Sequence, residues 1–251
     1  MDLGLQGKVA LVTASSQGLG RAVAMELATE GARVVLCARG VEALEATREQ
    51  IAIRTKAEVH AVVADLSESG EAQRVVHEAV ERFGPVEILV TNTGGPPSGP
   101  AEQHDAAAWQ AAYDLLLQAP LELARAVLPG MRERQWGRII TITSIAVKQP
   151  VEGLILSNSL RAAVTGFART LANETAKDGI TVNNVMPGFT RTDRVVDLAR
   201  ANAARAGITD AEVFAKWERE IPMGRLGEVK EFAALVAFLA SERASYITGT
   251  S

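Results

Sequence analysis

The stretch KVALVTASSQGLGRAVAMELATEG, residues 8–31, joins two different periodicities through one short loop. KVALVT (8–13) is an apolar run of strand length. LGRAVAMELATEG (19–31) repeats its apolar residues at helical spacing and closes on Gly31, the residue type that most readily ends a helix. Between them Thr13, Ala14, Ser15, Ser16, Gln17, Gly18, Leu19 and Gly20 form a small-residue loop that enters the helix directly. Glycines there let the backbone approach a pyrophosphate, and the free N–H groups and positive dipole of the helix start favour an anion. The same residues also suit a tight turn with no ligand, and two glycines leave both readings open.

The alternation continues outward from this unit. Strands are predicted at 33–38, 58–65, 86–92, 137–144 and 180–188, with helices over about 41–55, 71–83, 105–134 and 158–178. The strands are rich in Val and Ile without clean alternation, as expected when helices cover both faces. The pattern predicts an α/β fold, a single-domain, Rossmann-type, doubly wound parallel sheet over 1–251. Ligands bind such sheets at the carboxyl ends of the strands, which directs attention to 13–20, 38–39, 65–66, 92–95, 144 and 187–192.

Composition narrows the function classes. The chain is 47% hydrophobic and 22% charged, enough to build a core. A net charge of -4 with interspersed signs gives no footprint for nucleic acid. No stretch reads as a membrane span or a cleavable leader, and the lone Cys37 allows no intrachain disulfide, so a cytoplasmic protein is expected. Histidines 60, 77 and 104 lack ligand-like clustering, and no metal is expected.

Several motifs, each at a predicted strand end, carry a more specific likeness. They are the loop at 13–20, Asp65-Leu66 after the third strand, Thr91-Asn92-Thr93-Gly94 after the fourth, Ser144 after the fifth, and Pro187-Gly188-Phe189-Thr190-Arg191-Thr192 after the sixth. Taken in order, they resemble the short-chain dehydrogenase/reductase family, in particular its 3-oxoacyl-[acyl-carrier-protein] reductases. The resemblance implies a nucleotide site built from Thr13, Ser15, Ser16, Gln17, Gly18, Leu19, Gly20, Arg39, Asp65, Leu66, Asn92, Gly94, Arg161, Pro187, Gly188, Thr190 and Thr192. It implies a substrate lid at about 190–220 and a homo-oligomer, dimer or tetramer, assembled through the helices at 105–134 and 158–178. Ala14 stands where the family's first glycine would be, a substitution that matters only if the residue needs positive φ, which the resemblance does not require. The chain stops at ITGTS (247–251), where the family continues into another strand and an Asp-Gly-Gly.

The second strand ends in Ala38-Arg39 instead of an acid, so the expected cofactor is NADP(H) rather than NAD(H), with the guanidinium on the 2′-phosphate. A solvated arginine at a strand end is the plainer alternative. The catalytic positions depart further. Of the family's Ser, Tyr, Lys and Asn, only Ser144 remains; the others are Ser157, Arg161 and Leu116. An aliphatic hydroxyl is a far weaker acid than a phenol, and general acid catalysis supplies roughly two to four orders of magnitude. Two residues offer other proton routes. Pro120 removes the donor for the carbonyl of residue 116, which can then hold a water, or it merely bends the helix. Lys148, if desolvated, is a candidate acid; otherwise it is a solvated loop lysine. The expected function is carbonyl/alcohol hydride transfer on a small carbonyl or acyl-thioester substrate with an atypical proton source. The alternative is an inactive dinucleotide-binding sensor or a structural partner of active relatives.

Overall fold

A computed structural model describes residues 2–251. Six parallel strands, β1 (Val9–Thr13), β2 (Arg33–Ala38), β3 (Val59–Val63), β4 (Ile88–Thr91), β5 (Gly137–Ile142) and β6 (Ile180–Val185), pair in the order β3-β2-β1-β4-β5-β6. Helices α1 (Gly18–Thr29), α2 (Val41–Thr55) and α3 (Glu71–Phe83) link the first four strands. α4 (Ala106–Tyr113) and α5 (Ala119–Arg134) connect β4 to β5, and α6 (Ile155–Thr175) connects β5 to β6.

Adjacent residues of β1 divide between two cores, which explains why the strand is apolar throughout. Ala10 and Val12 join Leu27 of α1 and Val236 on one face, while Val9 and Leu11 join Val75 of α3 and Leu123 of α5 on the other. The chain reverses its winding between β1 and β4, so the crevice at a doubly wound sheet's switch point opens beyond Thr13 and Thr91.

The fold agrees with the expected alternation and corrects three details. The third, fifth and sixth strands end earlier than the apolar runs suggest, because Asp65, Ser144 and Pro187 already belong to site loops. The expected single helix at 105–134 is two helices joined by a π-helical turn at Asp114–Gln118. Pro120 causes the break: lacking an N–H, it cannot donate to Leu116 in the α register or to Leu115 in the π register. Beyond residue 190 lie α7 (Asp193–Ala206) and α8 (Asp210–Glu220), whose small core is Trp217 stacked 4.3 Å from Phe189 and edge-on to Phe214. α9 (Val229–Ala240) lies beyond the elements that the alternating pattern predicts, although AALVAFLA (233–240) is apolar enough to signal it; it buries Ala233, Val236 and Ala237 against the α1 side. No described helix is long and apolar enough to cross a membrane.

Candidate active site

The loop after β1 is shaped by its own hydroxyls. Thr13 is fully buried; its Oγ1 donates to the Asn92 carbonyl at 2.6 Å and accepts from the Asn92 N–H at 2.9 Å, which locks the ends of β1 and β4 together. Ser15 is equally buried, donating to the Val12 carbonyl at 2.8 Å and accepting from the Cys37 N–H at 3.0 Å. These two hydroxyls therefore hold the loop's shape through bonds within the protein. Ala14 has φ +45°, so the position does adopt the left-handed conformation that the resemblance did not demand. Gly18, at φ +57°, uses the freedom of glycine, and a Cβ on Gly20 would collide with the Ala14 carbonyl. Ser16 and Gln17 line an open cavity of about 420 Å³ with Arg21, Thr47 and Asp193, between α1, α2 and the first residue of α7.

The facing loops leave room. A Cβ at Gly94 would meet nothing, and one at Gly188 would only touch Ile145. Asn92 Nδ2 donates to the Ala14 carbonyl at 3.3 Å, and Thr190 and Thr192 stand on the Pro187-Gly188 loop, with Thr192 capping α7. A glycine-lined crevice with a helix N-terminus at one side suits an extended diphosphate ligand, so the residues present fit a dinucleotide.

Arg39 corrects one premise of the cofactor argument. Its guanidinium does have an acid beside it, Asp65 at 3.5 Å. Asp65 is anchored elsewhere: its Oδ1 accepts from Ser67 Oγ at 2.6 Å and Ser67 N–H at 3.1 Å, and those bonds hold its carboxyl below the usual range, with Arg39 contributing less. Arg39 itself is 72% exposed, so the pair is weak and the guanidinium is available to an added phosphate. Leu66 follows at the same edge, half-buried against the α3 core.

The catalytic candidates separate into two groups. Arg161 donates from Nε to Ser157 Oγ at 3.2 Å and from Nη1 to the Ile142 carbonyl at 3.0 Å, and reaches Thr93 Oγ1 at 3.4 Å and the Gly94 carbonyl at 3.5 Å. It thereby binds the first turns of α6 to the ends of β4 and β5. Burial, and secondarily the charge of Arg194, push its pKa down to about 10, so it remains a cation at neutral pH. Ser144 follows β5 by two residues, at the start of the turn Ile145–Val147, and its Oγ accepts from the Ala146 N–H at 3.1 Å. Leu116 is buried in the π-helical turn. Lys148 does not join them. It is exposed and lines a separate cavity with Asn184, Leu235 and Ser251, because the turn after Ser144 directs it toward α9. Neither tyrosine replaces the missing phenol: Tyr113 donates to Gln118 on the α4–α5 surface, and Tyr246 is fully exposed. Cys37, buried in β2 with its thiol pushed up to about 12, is an unreactive core residue. No metal-binding cluster of His, Cys, Asp or Glu occurs among the described residues.

Comparison with known proteins agrees with this geometry. Residues 8–203 match the family described as short chain dehydrogenase. The chain is 35% identical over 247 residues to the 3-oxoacyl-[acyl-carrier-protein] reductase FabG of Haemophilus influenzae, covering 98% of this chain and 96% of that one. It is equally 35% identical to the 2,3-dihydroxy-2,3-dihydro-p-cumate dehydrogenase of Pseudomonas putida, covering 98% and 92%. Among solved structures, L-sorbose reductase from Gluconobacter frateurii, complexed with NADPH and L-sorbose, superposes with a TM-score of 0.94 at 35% identity, covering 100% of this chain and 95% of that one. Equal likeness to enzymes named for different substrates shows that identity alone transfers no substrate.

Proposed function

Since the chain belongs to the short-chain dehydrogenase family, we propose that it is an NADP(H)-dependent oxidoreductase acting on a carbonyl/alcohol pair. When bound, the nicotinamide supplies or takes the hydride. The loop at Ser16–Gly20, Asn92, Gly94, Pro187, Gly188, Thr190 and Thr192 would hold the dinucleotide, with Arg39 at the 2′-phosphate. The NADPH of the sorbose reductase supports that choice.

One observation carries the reading. Ser144 Oγ and Ser157 Oγ each accept a hydrogen bond, from Ala146 N–H and Arg161 Nε, while neither spends its own proton on a protein acceptor among the described residues. Both O–H groups are therefore free to donate to a carbonyl oxygen, and α6 packs on the turn that follows Ser144. As negative charge grows on that oxygen, the Arg161 cation behind Ser157 stabilises it electrostatically. The arginine keeps its charge at neutral pH, so the proton reaches the oxygen from water. The π-helical turn beside Pro120 provides a backbone carbonyl at which such a water can be held.

A second reading rests on the missing phenol. With Tyr113 and Tyr246 both elsewhere, the site suits a dinucleotide-binding protein without turnover. Calorimetry with NADPH and NADH, run beside NADPH oxidation over ketones and 3-oxoacyl thioesters, separates the two. Turnover that falls in Ser144→Ala supports the enzyme, and tight NADPH binding with no turnover on any substrate supports the sensor. Preference for NADH would overturn the cofactor assignment. The outer face of α6 is small and exposed at Ala162, Ala163 and Gly166, which supports close packing of a second copy; sedimentation analysis tests for the dimer or tetramer.

A further inference from the structure

Two guanidinium groups converge on the loop after β4 with no carboxylate to balance them. Arg161 reaches that loop from α6, at Thr93 and Gly94. Arg194 reaches it from α7: its Nη2 donates to the Pro96 carbonyl at 3.3 Å, and it lies so close over Gly95 that a Cβ there would come within 2.7 Å of it. Neither forms an ion pair among the described residues, whereas Arg191 and Arg200 of the lid, and Arg225 just after it, are each matched to an acid. Arg205 lies eleven residues beyond Arg194, three helical turns along the same face of α7, and sits over Gly153 in the loop before α6. That loop is joined to the β4 loop by the Gly99 N–H donating to the Gly153 carbonyl at 2.7 Å. The wall that Arg161 joins to Ser157 is thus cationic.

We propose that the substrate carries a carboxylate beside its reacting carbonyl, bound between Arg161 and Arg194 against the Thr93–Pro96 loop. The inference rests on the carbonyl/alcohol reading above and deepens it by naming the substrate class. Two like charges at one loop repel each other, and an anion between them adds an attraction to each that outweighs the repulsion. Burial first, and the charge of Arg194 second, push the Arg161 pKa down, in line with that repulsion. A planar guanidinium matches a carboxylate through two parallel hydrogen bonds, whereas a neutral ketone would leave both cations without an anionic partner.

The test uses a 2-oxo acid, phenylpyruvate, and its methyl ester, titrated into the free protein and into the NADPH complex, with binding read by calorimetry and thermal shift. The acid is expected to bind both and the ester to bind poorly. Arg194→Met should weaken the acid roughly tenfold to a hundredfold, the worth of a charge-assisted hydrogen bond, and leave NADPH affinity unchanged. Arg194→Lys should recover part of the loss, which separates charge from packing. Arg194 is an exposed helix residue, so neither variant threatens the fold. Equal binding of acid and ester, or unchanged acid affinity in Arg194→Met, would overturn the proposal. So would a loss of NADPH affinity alone in that variant, because the pair would then serve the phosphates of the cofactor. Failure of the wild-type protein to bind NADPH while the free protein still binds the acid would sink only the dinucleotide reading.

Discussion

Replacing Ala14 with glycine should stabilise the protein, although the same change elsewhere in it should do the opposite. Ala14 adopts φ +45° immediately after β1. The left-handed conformation costs an L-residue roughly 1–2 kcal/mol, a strain that glycine does not have. The greater freedom of glycine in the unfolded chain offsets roughly 0.4–1 kcal/mol of that gain. The net expectation for Ala14→Gly is a stabilisation of about 0.5–1 kcal/mol, or roughly 1–4 °C in melting temperature for a chain of this size. Ala46 provides the control. It is exposed in the interior of α2 at ordinary helical geometry, where Ala→Gly should cost about 0.5–1 kcal/mol. Ala14→Val provides the converse, since a β-branched residue at positive φ is worse than alanine and should lower the melting temperature. Urea titration and calorimetric melting of the three variants beside the parent give the measurement. If Ala14→Gly falls in step with Ala46→Gly, the loop is not strained at residue 14 and the reasoning is refuted.

Three further outcomes follow from the site. Arg39→Ala should lose roughly ten- to a hundredfold in NADPH affinity and little in NADH affinity, by calorimetry; parallel losses would remove Arg39 from the 2′-phosphate. Lys148→Met should leave turnover unchanged in a steady-state assay, because the amine lines the α9 cavity, and a collapse in rate would show that it reaches the substrate after all. Ser67→Ala should cost about 1 kcal/mol near pH 7 through loss of the Ser67 Oγ bond to Asp65, while the backbone N–H bond stays. The Asp65 carboxyl is held below its unfolded value, so that stability is present above the unfolded pKa and disappears as pH falls through the folded one. Parent and variant should therefore converge in acid melts, and a difference that persists below the carboxylate range would show that Ser67 acts some other way.

Site positions were legible in the sequence because they follow strand ends, and strand ends follow hydrophobic runs. Ser144, Asn92, Pro187 and the 13–20 loop are where the alternating pattern places them. Side-chain direction was less legible. Thr13 and Ser15 read as site residues, and the partners of their hydroxyls are Asn92, Val12 and Cys37, residues distant in sequence except for Val12. Lys148 is four residues from Ser144, and one short turn carries it to another cavity. The π-helical turn was half legible: Pro120 announced a missing donor, while the register of the bonds around it depends on how α5 and α6 pack.

The sequence by itself determined the doubly wound class and the crevice at the strand ends, since these depend on period and order along one chain. Only the tertiary structure decided the charge balance of the site. It placed Asp65 beside Arg39, and it brought Arg194 from the lid over Gly95, toward Arg161 with no acid at hand. Electrostatic interaction falls with distance in space, and positions 33 residues apart in the chain become neighbours only when α6 and α7 close around the loop after β4.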